Sequence, residues 1–319
     1  MKNLLFYFLF IFTFSLFSQE IKQDTTRIQN LEEVIVSSIR VKKNAPIAFT
    51  NVSKDELGKK NLGQDLPILL NSLTSVVTTS DAGAGVGYTG IRIRGINAQS
   101  TNITINGIPY NDAESLGTFW VDLPDFASSV ENLQLQRGVG TSTNGSSAFG
   151  ASINILTNLI SKTPYFENSN SIGSYNTTKN TFKFSTGILN DYFEFSGRLS
   201  KIDSDGYIDR SSSDLKSYFL QVNYKKENTL IKALSFGGHE ITYQAWNGID
   251  EETLQSDRTY NPSGMYIDQS GDIQFYDNEV DNYKQDHYQI HWSQIINSRL
   301  TSNLSFNLTN GLGYYEQYK

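Results

Sequence analysis

Side chains that move protons or hold metals are scarce here: the chain has 319 residues, three histidines and no cysteine. His287 and His291 alternate with Tyr288, Ile290 and Trp292 and so share one strand face, without the helical spacing and glutamate of a zinc-protease motif. A polar position lining a lumen suits them better than a metal site. Glu251 and Glu252 stand in a loop-like stretch with no partner constellation, so no catalytic residue is assigned and the chain is read as a non-enzyme. The chemistry that remains is recognition. Tyr243 and Trp246 offer aromatic surface beside polar groups, as an amphipathic ligand requires; with Trp120 they serve equally well as packing or interface-belt rings. Leu31 to Ser38 includes Glu32, Glu33, Val34, Ile35 and Val36 between charged flanks, a β-prone peptide able to add to the edge of a partner's sheet or to form an ordinary edge strand. Arg92 and Arg94 alternate with Ile91 and Ile93, which puts both on one face of a strand.

The elements that must position such residues are strands. Beyond about residue 163, apolar and polar residues alternate with period two. Phe182, Phe184 and Ile188 oppose Lys183, Ser185 and Gly187. Phe193, Phe195 and Leu199 oppose Glu194, Ser196 and Arg198. Tyr218, Leu220, Val222 and Tyr224 oppose Gln221, Asn223 and Lys225, and Leu300, Leu304, Phe306 and Leu308 oppose Thr301, Asn303, Ser305 and Asn307. Leu230 to His239 alternates less cleanly. Tight turns at Asn190-Asp191, Glu227-Asn228 and Asn297-Ser298 alternate with long links over 203–214 and 242–282. Short turns at one end and long loops at the other are the mark of a transmembrane barrel, although a soluble sandwich also alternates. About seven strands are expected, an odd number, so the barrel reads as unfinished. A lumen wide enough for a preceding domain needs about 22 strands.

Composition agrees. Hydrophobic residues make up 38% and aromatics 13%, with 18 Tyr and 19 Phe, a heavy aromatic load for so little aliphatic bulk. Barrels show this bias because a thin apolar band edged by aromatic girdles surrounds a polar lumen. A net charge of −7 with no basic stripe excludes a nucleic-acid partner. Met1-Lys2 and the apolar run Leu4 to Phe17 read as a secretory signal peptide, too short to span a bilayer as a helix. The expected organisation is a signal peptide over 1–18, a polar lead over 19–45, a globular domain over 46–163 and barrel strands over 164–319.

Several motifs together resemble one family, the TonB-dependent receptors. Leu31 to Ser38 looks like the TonB box. Ile91 to Gly95 resembles the plug's "RIRG" strand, and Thr104-Ile105-Asn106-Gly107-Ile108-Pro109 its strand and turn. Val130 to Gly138 resembles "IERIEVLRG", and Phe149 to Thr157 the closing "GGVINIIT". Val139, Asn144 and Ala151 depart from the commonest form, as subfamily variation does. The implied fold is mainly β, an α+β plug inside an antiparallel transmembrane barrel.

The resemblance also implies a mechanism. A scarce nutrient binds outside, the TonB box at 31–38 engages a TonB-like energy-transducing protein, and part of the plug is displaced. Plug arginines such as Arg92, Arg94 and Arg137 are expected to meet acidic residues of the barrel wall, the alternative being solvated strand arginines. The ligand is expected at the outer plug loops, at Asp81 and Tyr88 and at Tyr110, Asn111 and Glu114, with Tyr243 and Trp246 as further candidates. No cofactor is expected. The implied partners are the TonB-like protein, outer-membrane lipid and a small-molecule ligand, with the receptor monomeric. An iron–siderophore complex is the first substrate expected, cobalamin or a glycan the alternative, and a passive porin the rival of a different class.

Overall fold

The computed structural model describes residues 40–41, 45–139 and 149–318. The signal-peptide and TonB-box readings lie outside these residues.

The first sheet has five strands in the order β1-β6-β7-β4-β5: β1 (Phe49–Ser53), β4 (Thr101–Ile105), β5 (Ile108–Pro109), β6 (Val130–Arg137) and β7 (Ala151–Thr157). The β4–β7 pair is parallel and the others are antiparallel. A separate hairpin joins β2 (Val76–Ser80) to β3 (Thr89–Ile93). Two short helices precede it, α1 (Lys54–Lys60) and α2 (Leu66–Leu69). Helix α1 starts where Ser53 and Glu56 cap each other, Glu56 N–H donating to Ser53 Oγ at 3.3 Å and Ser53 N–H to Glu56 Oε2 at 2.8 Å. Its acids lie in the first turn and its lysines in the last, as the helix dipole favours.

Every residue of β4 and β7 is buried, so these strands form the centre of a core that includes Ile103, Ile105, Leu133, Leu135, Ile153 and Ile155. Asn106 and Gly107 both take positive φ, 53° and 84°, the tight hairpin turn that the Asn-Gly pair favours. The Asn106 side chain also caps the sheet, its Oδ1 accepting from Thr157 N–H at 3.0 Å.

The second sheet is antiparallel and has seven strands in the order β16-β15-β12-β11-β10-β9-β8. They are β8 (Pro164–Ile172), β9 (Thr178–Thr186), β10 (Phe193–Ser204), β11 (Ser213–Lys226), β12 (Thr229–Tyr243), β15 (Val280–Asn297) and β16 (Leu300–Tyr315). Consecutive strands pair as neighbours, β12 with β15 across the long loop, which carries α3 (Glu251–Ser256) and the hairpin of β13 (Met265–Ile267) and β14 (Ile273–Phe275).

The burial pattern of this sheet is inverted relative to a water-soluble one. Ser196, Arg198, Gln221, Asn223, Lys232, Glu240, His287 and His291 are buried, whereas Phe195, Leu199, Leu220, Val222, Ile290 and Phe306 are exposed. Polar residues face inward and apolar ones outward, as lipid outside and a polar lumen inside require. No helix among the described residues is long and apolar enough to cross a membrane.

The inward face carries the first domain. Phe126 packs against Phe219 and Phe236 of the wall, with ring centroids 6.4 and 5.4 Å apart. Gly238 lets the two backbones approach: a Cβ there would stand 2.4 Å from the Asp122 carbonyl oxygen and 2.7 Å from Pro124 Cδ. Gly238→Val is therefore expected to push the 122–124 segment off the wall at a cost of about 1–3 kcal/mol. Faster proteolysis of the inner domain in the folded receptor, with a lower Tm, is the result to look for; unchanged proteolysis would refute the contact.

Candidate functional site

A cavity of about 800 Å³ opens where the inner domain's loops meet β12, β15 and β16. From the inner domain it takes Tyr88, at the head of β3, and the segment after β5 that holds Tyr110, Asn111, Asp112, Glu114 and Asp122. From the wall it takes Glu240 of β12, Asp281, Tyr283, Gln285 and His287 of β15, and Leu308 of β16. That volume lies within the range of sites for drug-sized organic molecules.

The loop that delivers Tyr88 is pinned. Asp81 N–H donates to Tyr88 O at 2.9 Å, Gly85 N–H to Ser80 Oγ at 2.9 Å, and Tyr207 N–H of the wall to Ala82 O at 2.7 Å. Gly83, at φ 72°, lies against the Tyr207 ring with no room for a side chain. This loop is thus held by the link between β10 and β11.

Tyr88 reaches across to the wall, its hydroxyl donating to Asp281 Oδ2 and, at 3.4 Å, to Glu240 Oε1. Burial first, and the neighbouring Glu240 and Asp281, push its phenol well above the ordinary tyrosine value. Trp246 stands edge-on to Tyr88 with centroids 5.3 Å apart. Tyr110 donates to Gln285 Oε1 at 3.3 Å and its ring lies 5.2 Å from His287. Asp112 accepts from the Ser115 and Glu114 backbone N–H groups, at 2.7 and 3.1 Å, and the Ser115 bond above all lowers its pKa. Asp122 behaves oppositely: burial, with Asp281 and Asp112 nearby, raises its carboxyl to about 7.

Other expected ligand residues fall differently. Asn111 borders the cavity, but its side chain is engaged by the backbone at Ile103, Thr101 and Leu116. Glu114 borders it and is exposed. Asp81 does not line it. Tyr243 is buried beneath the long loop, donating to Tyr276 O at 2.6 Å, and acts as scaffold there. His287 and His291 lie on the inward face, held by Gln285 and Thr309 and by Gln289 and Ser305. Among the described residues no three His, Cys, Asp or Glu side chains are arranged to hold a metal ion.

Within this part of the wall the expected arginine contacts are not formed, and the inner domain meets it through an acid. Arg92 is exposed on β3, and Arg94 lies beyond that strand, at φ 55° in a turn with Gly95, so the two do not share a strand face. Arg137 bonds inside its own domain, to Thr74 O and Thr50 Oγ1, both at 2.9 Å. Among the described residues none of the three pairs with a wall carboxylate. The charge on the inner side is instead an acid, Asp125. Lys179 Nζ of β9 lies 2.9 Å from its Oδ1 and Arg198 Nη1 of β10 lies 3.4 Å from its Oδ2. Thr181 and Ser200 of the wall donate to Oδ2, and Asn61 and Ser128 to Oδ1. Arg198 also donates to Ser129 Oγ at 2.8 Å and to Ser217 Oγ at 2.9 Å. Burial opposes the charge on Asp125, but Arg198 and Lys179 overcome it and hold the carboxyl well below the usual range.

Residues 41–152 match the family described as TonB-dependent Receptor Plug Domain. The "Probable TonB-dependent siderophore receptor PirA" of Acinetobacter baumannii is 23% identical over 267 residues, which is 76% of this chain and 33% of that protein. Among solved structures, unliganded ferric citrate transporter FecA superposes with a TM-score of 0.66 at 17% identity, covering 85% of this chain and 41% of that one. The ferric-catecholate import receptor Fiu of E. coli K12 does so with a TM-score of 0.63 at 16% identity, covering 85% and 39%. At such identities the structures establish the fold. The chain spans about a third of the curated relative and about two fifths of these structures. Residues 41–152, which hold most of the five-stranded inner domain, match the TonB-dependent receptor plug domain, and the seven-stranded wall has the fold of part of the barrel in these solved receptors.

Proposed function

We propose that the protein is an outer-membrane receptor that imports a scarce nutrient actively, taking cargo in the cavity between plug loops and wall. A TonB-like partner would grip Leu31 to Ser38 by strand addition and draw on the inner membrane's proton gradient to displace part of the plug. The observation that carries this reading is the filled inward face: Asp125 and Phe126 of the plug are fastened to Lys179, Arg198, Phe219 and Phe236 of the wall. A passive porin has no use for such a fastening. An iron–siderophore complex is the cargo favoured by the similarity to a probable siderophore receptor, with cobalamin or a glycan as the alternative. The test is uptake of a radiolabelled ferric siderophore by cells carrying the full-length receptor, with and without a protonophore. Active import predicts that the protonophore stops uptake and spares surface binding. Uptake that continues unchanged would point to passive passage.

A further inference from the structure

The cavity's charge is one-sided. Asp112, Glu114, Asp122, Glu240 and Asp281 all border it, and no Lys or Arg does among the described residues. Asp122 and Glu240 are only 5% and 1% exposed. Glu240 and Asp281 receive hydroxyl donors, from Tyr88 and, for Glu240, from Thr242 as well. Asp122 lines the cavity, and its carboxylate receives no hydrogen bond or ion pair among the described residues.

Asp125, three residues along the same segment, is a buried acid with full pairing. It is given two cations and four side-chain donors. A buried carboxylate is costly unless it is paired and hydrogen-bonded. The different treatment of two neighbouring acids marks Asp122 as a group whose partner arrives from the cavity side.

We propose that this cavity selects cargo bearing a protonated amine, which docks on Asp122 and Glu240 with Asp281 beside them. The proposal rests on the reading of the cavity as the cargo site and adds the charge class of the cargo. The rings of Tyr88, Tyr110 and Tyr283 border the same space, and aromatic faces attract ammonium groups. An organic cation fits better than a bare metal ion, because no three ligating side chains converge there among the described residues. The volume of about 800 Å³ leaves room for a chelate or polyamine body behind the amine.

The test is calorimetric binding to the full-length receptor in detergent, with four probes. Ferrioxamine B carries a free ammonium, its N-acetyl derivative has the same iron core without that charge, ferric citrate is anionic, and spermidine is a metal-free amine. The amine-bearing chelate should bind about ten- to a hundred-fold more tightly than its acetylated form. Asp122→Asn and Glu240→Gln should each shrink that ratio, weakening the amine-bearing probe more than the acetylated one. Spermidine binding without any iron probe would uphold the amine inference and remove iron as the cargo. Equal affinity of the two ferrioxamines, a preference for ferric citrate, or a ratio untouched by both variants would overturn the inference while leaving active import standing. So would no binding of any probe in a receptor whose uptake still stops with a protonophore.

Discussion

Asp125→Ala is expected to loosen the plug from the wall by about 3–5 kcal/mol, because it strands two buried cations without their shared counter-ion. Lys179 and Arg198 have side chains only 3% and 2% exposed, so water cannot replace the carboxylate while the plug stays seated. The receptor need not unfold, since the barrel's ladders are unaffected; the loss should appear as hydrogen exchange and protease cleavage in the plug. Lys179→Ala should cost less, because Arg198 still balances Asp125. Wild-type protection in Asp125→Ala would disprove the fastening. The contact also has a pH sign. Its acid is depressed on folding, so its stabilisation is complete above the unfolded carboxylate value near 3.8 and is lost as pH falls through the lower folded value. Acid release of the plug should therefore begin below about pH 4 and be absent from the Ala variant.

Val34→Pro is expected to abolish uptake while surface binding of cargo persists. Strand addition needs main-chain donors in register, and proline removes one and fixes φ. Val34 lies in the lead before Arg40, and Arg40 and Val41 are already docked on the plug sheet. Arg40 Nη2 donates to Asn154 O at 2.9 Å, and Val41 N–H to Gln134 Oε1 at 2.8 Å. The substitution leaves those bonds in place, so a defect confined to transport locates the fault in partner capture. Unchanged uptake in cells with wild-type receptor levels would sink the TonB-box reading.

Much of the architecture was legible because one physical period, the alternation of a strand, was at work. Alternation marked β9, β10, β11, β15 and β16, since lipid selects one face and the lumen the other. It blurred in β12, where Leu230, Leu234 and Phe236 face inward, the latter two within the plug's core. It was absent from β8, whose sequence is polar apart from Tyr165, Phe166 and Ile172 and whose outer edge has no paired strand among the described residues. The plug motifs marked β3 to β7, but alternation misplaced Arg94, where the following Gly95 gives the turn away.

The site was harder to read. Tyr88, Tyr110, Asn111 and Glu114 come together at the cavity because two loops end beside each other. Glu240 and Asp281 were missed, although strand parity with Thr242 and with His287 puts both on the inward face. Nothing local distinguishes Asp122 from Asp125. Only the wall, distant in sequence, supplies cations to one and leaves the other to the cavity.

The mostly polar lining of the inward face has a mechanical consequence. Serine, threonine, asparagine and glutamine contacts can each be exchanged for water at little net cost, so parting them exposes no dry surface. The exceptions are the Asp125 ion cluster, the Phe126 ring among Phe219 and Phe236, and the apolar cluster of Val86 and Val121 with Ile202 and Leu215. Resistance to separation is thereby concentrated at these few contacts, and a pull on the inner domain would meet most of its drag there and little elsewhere.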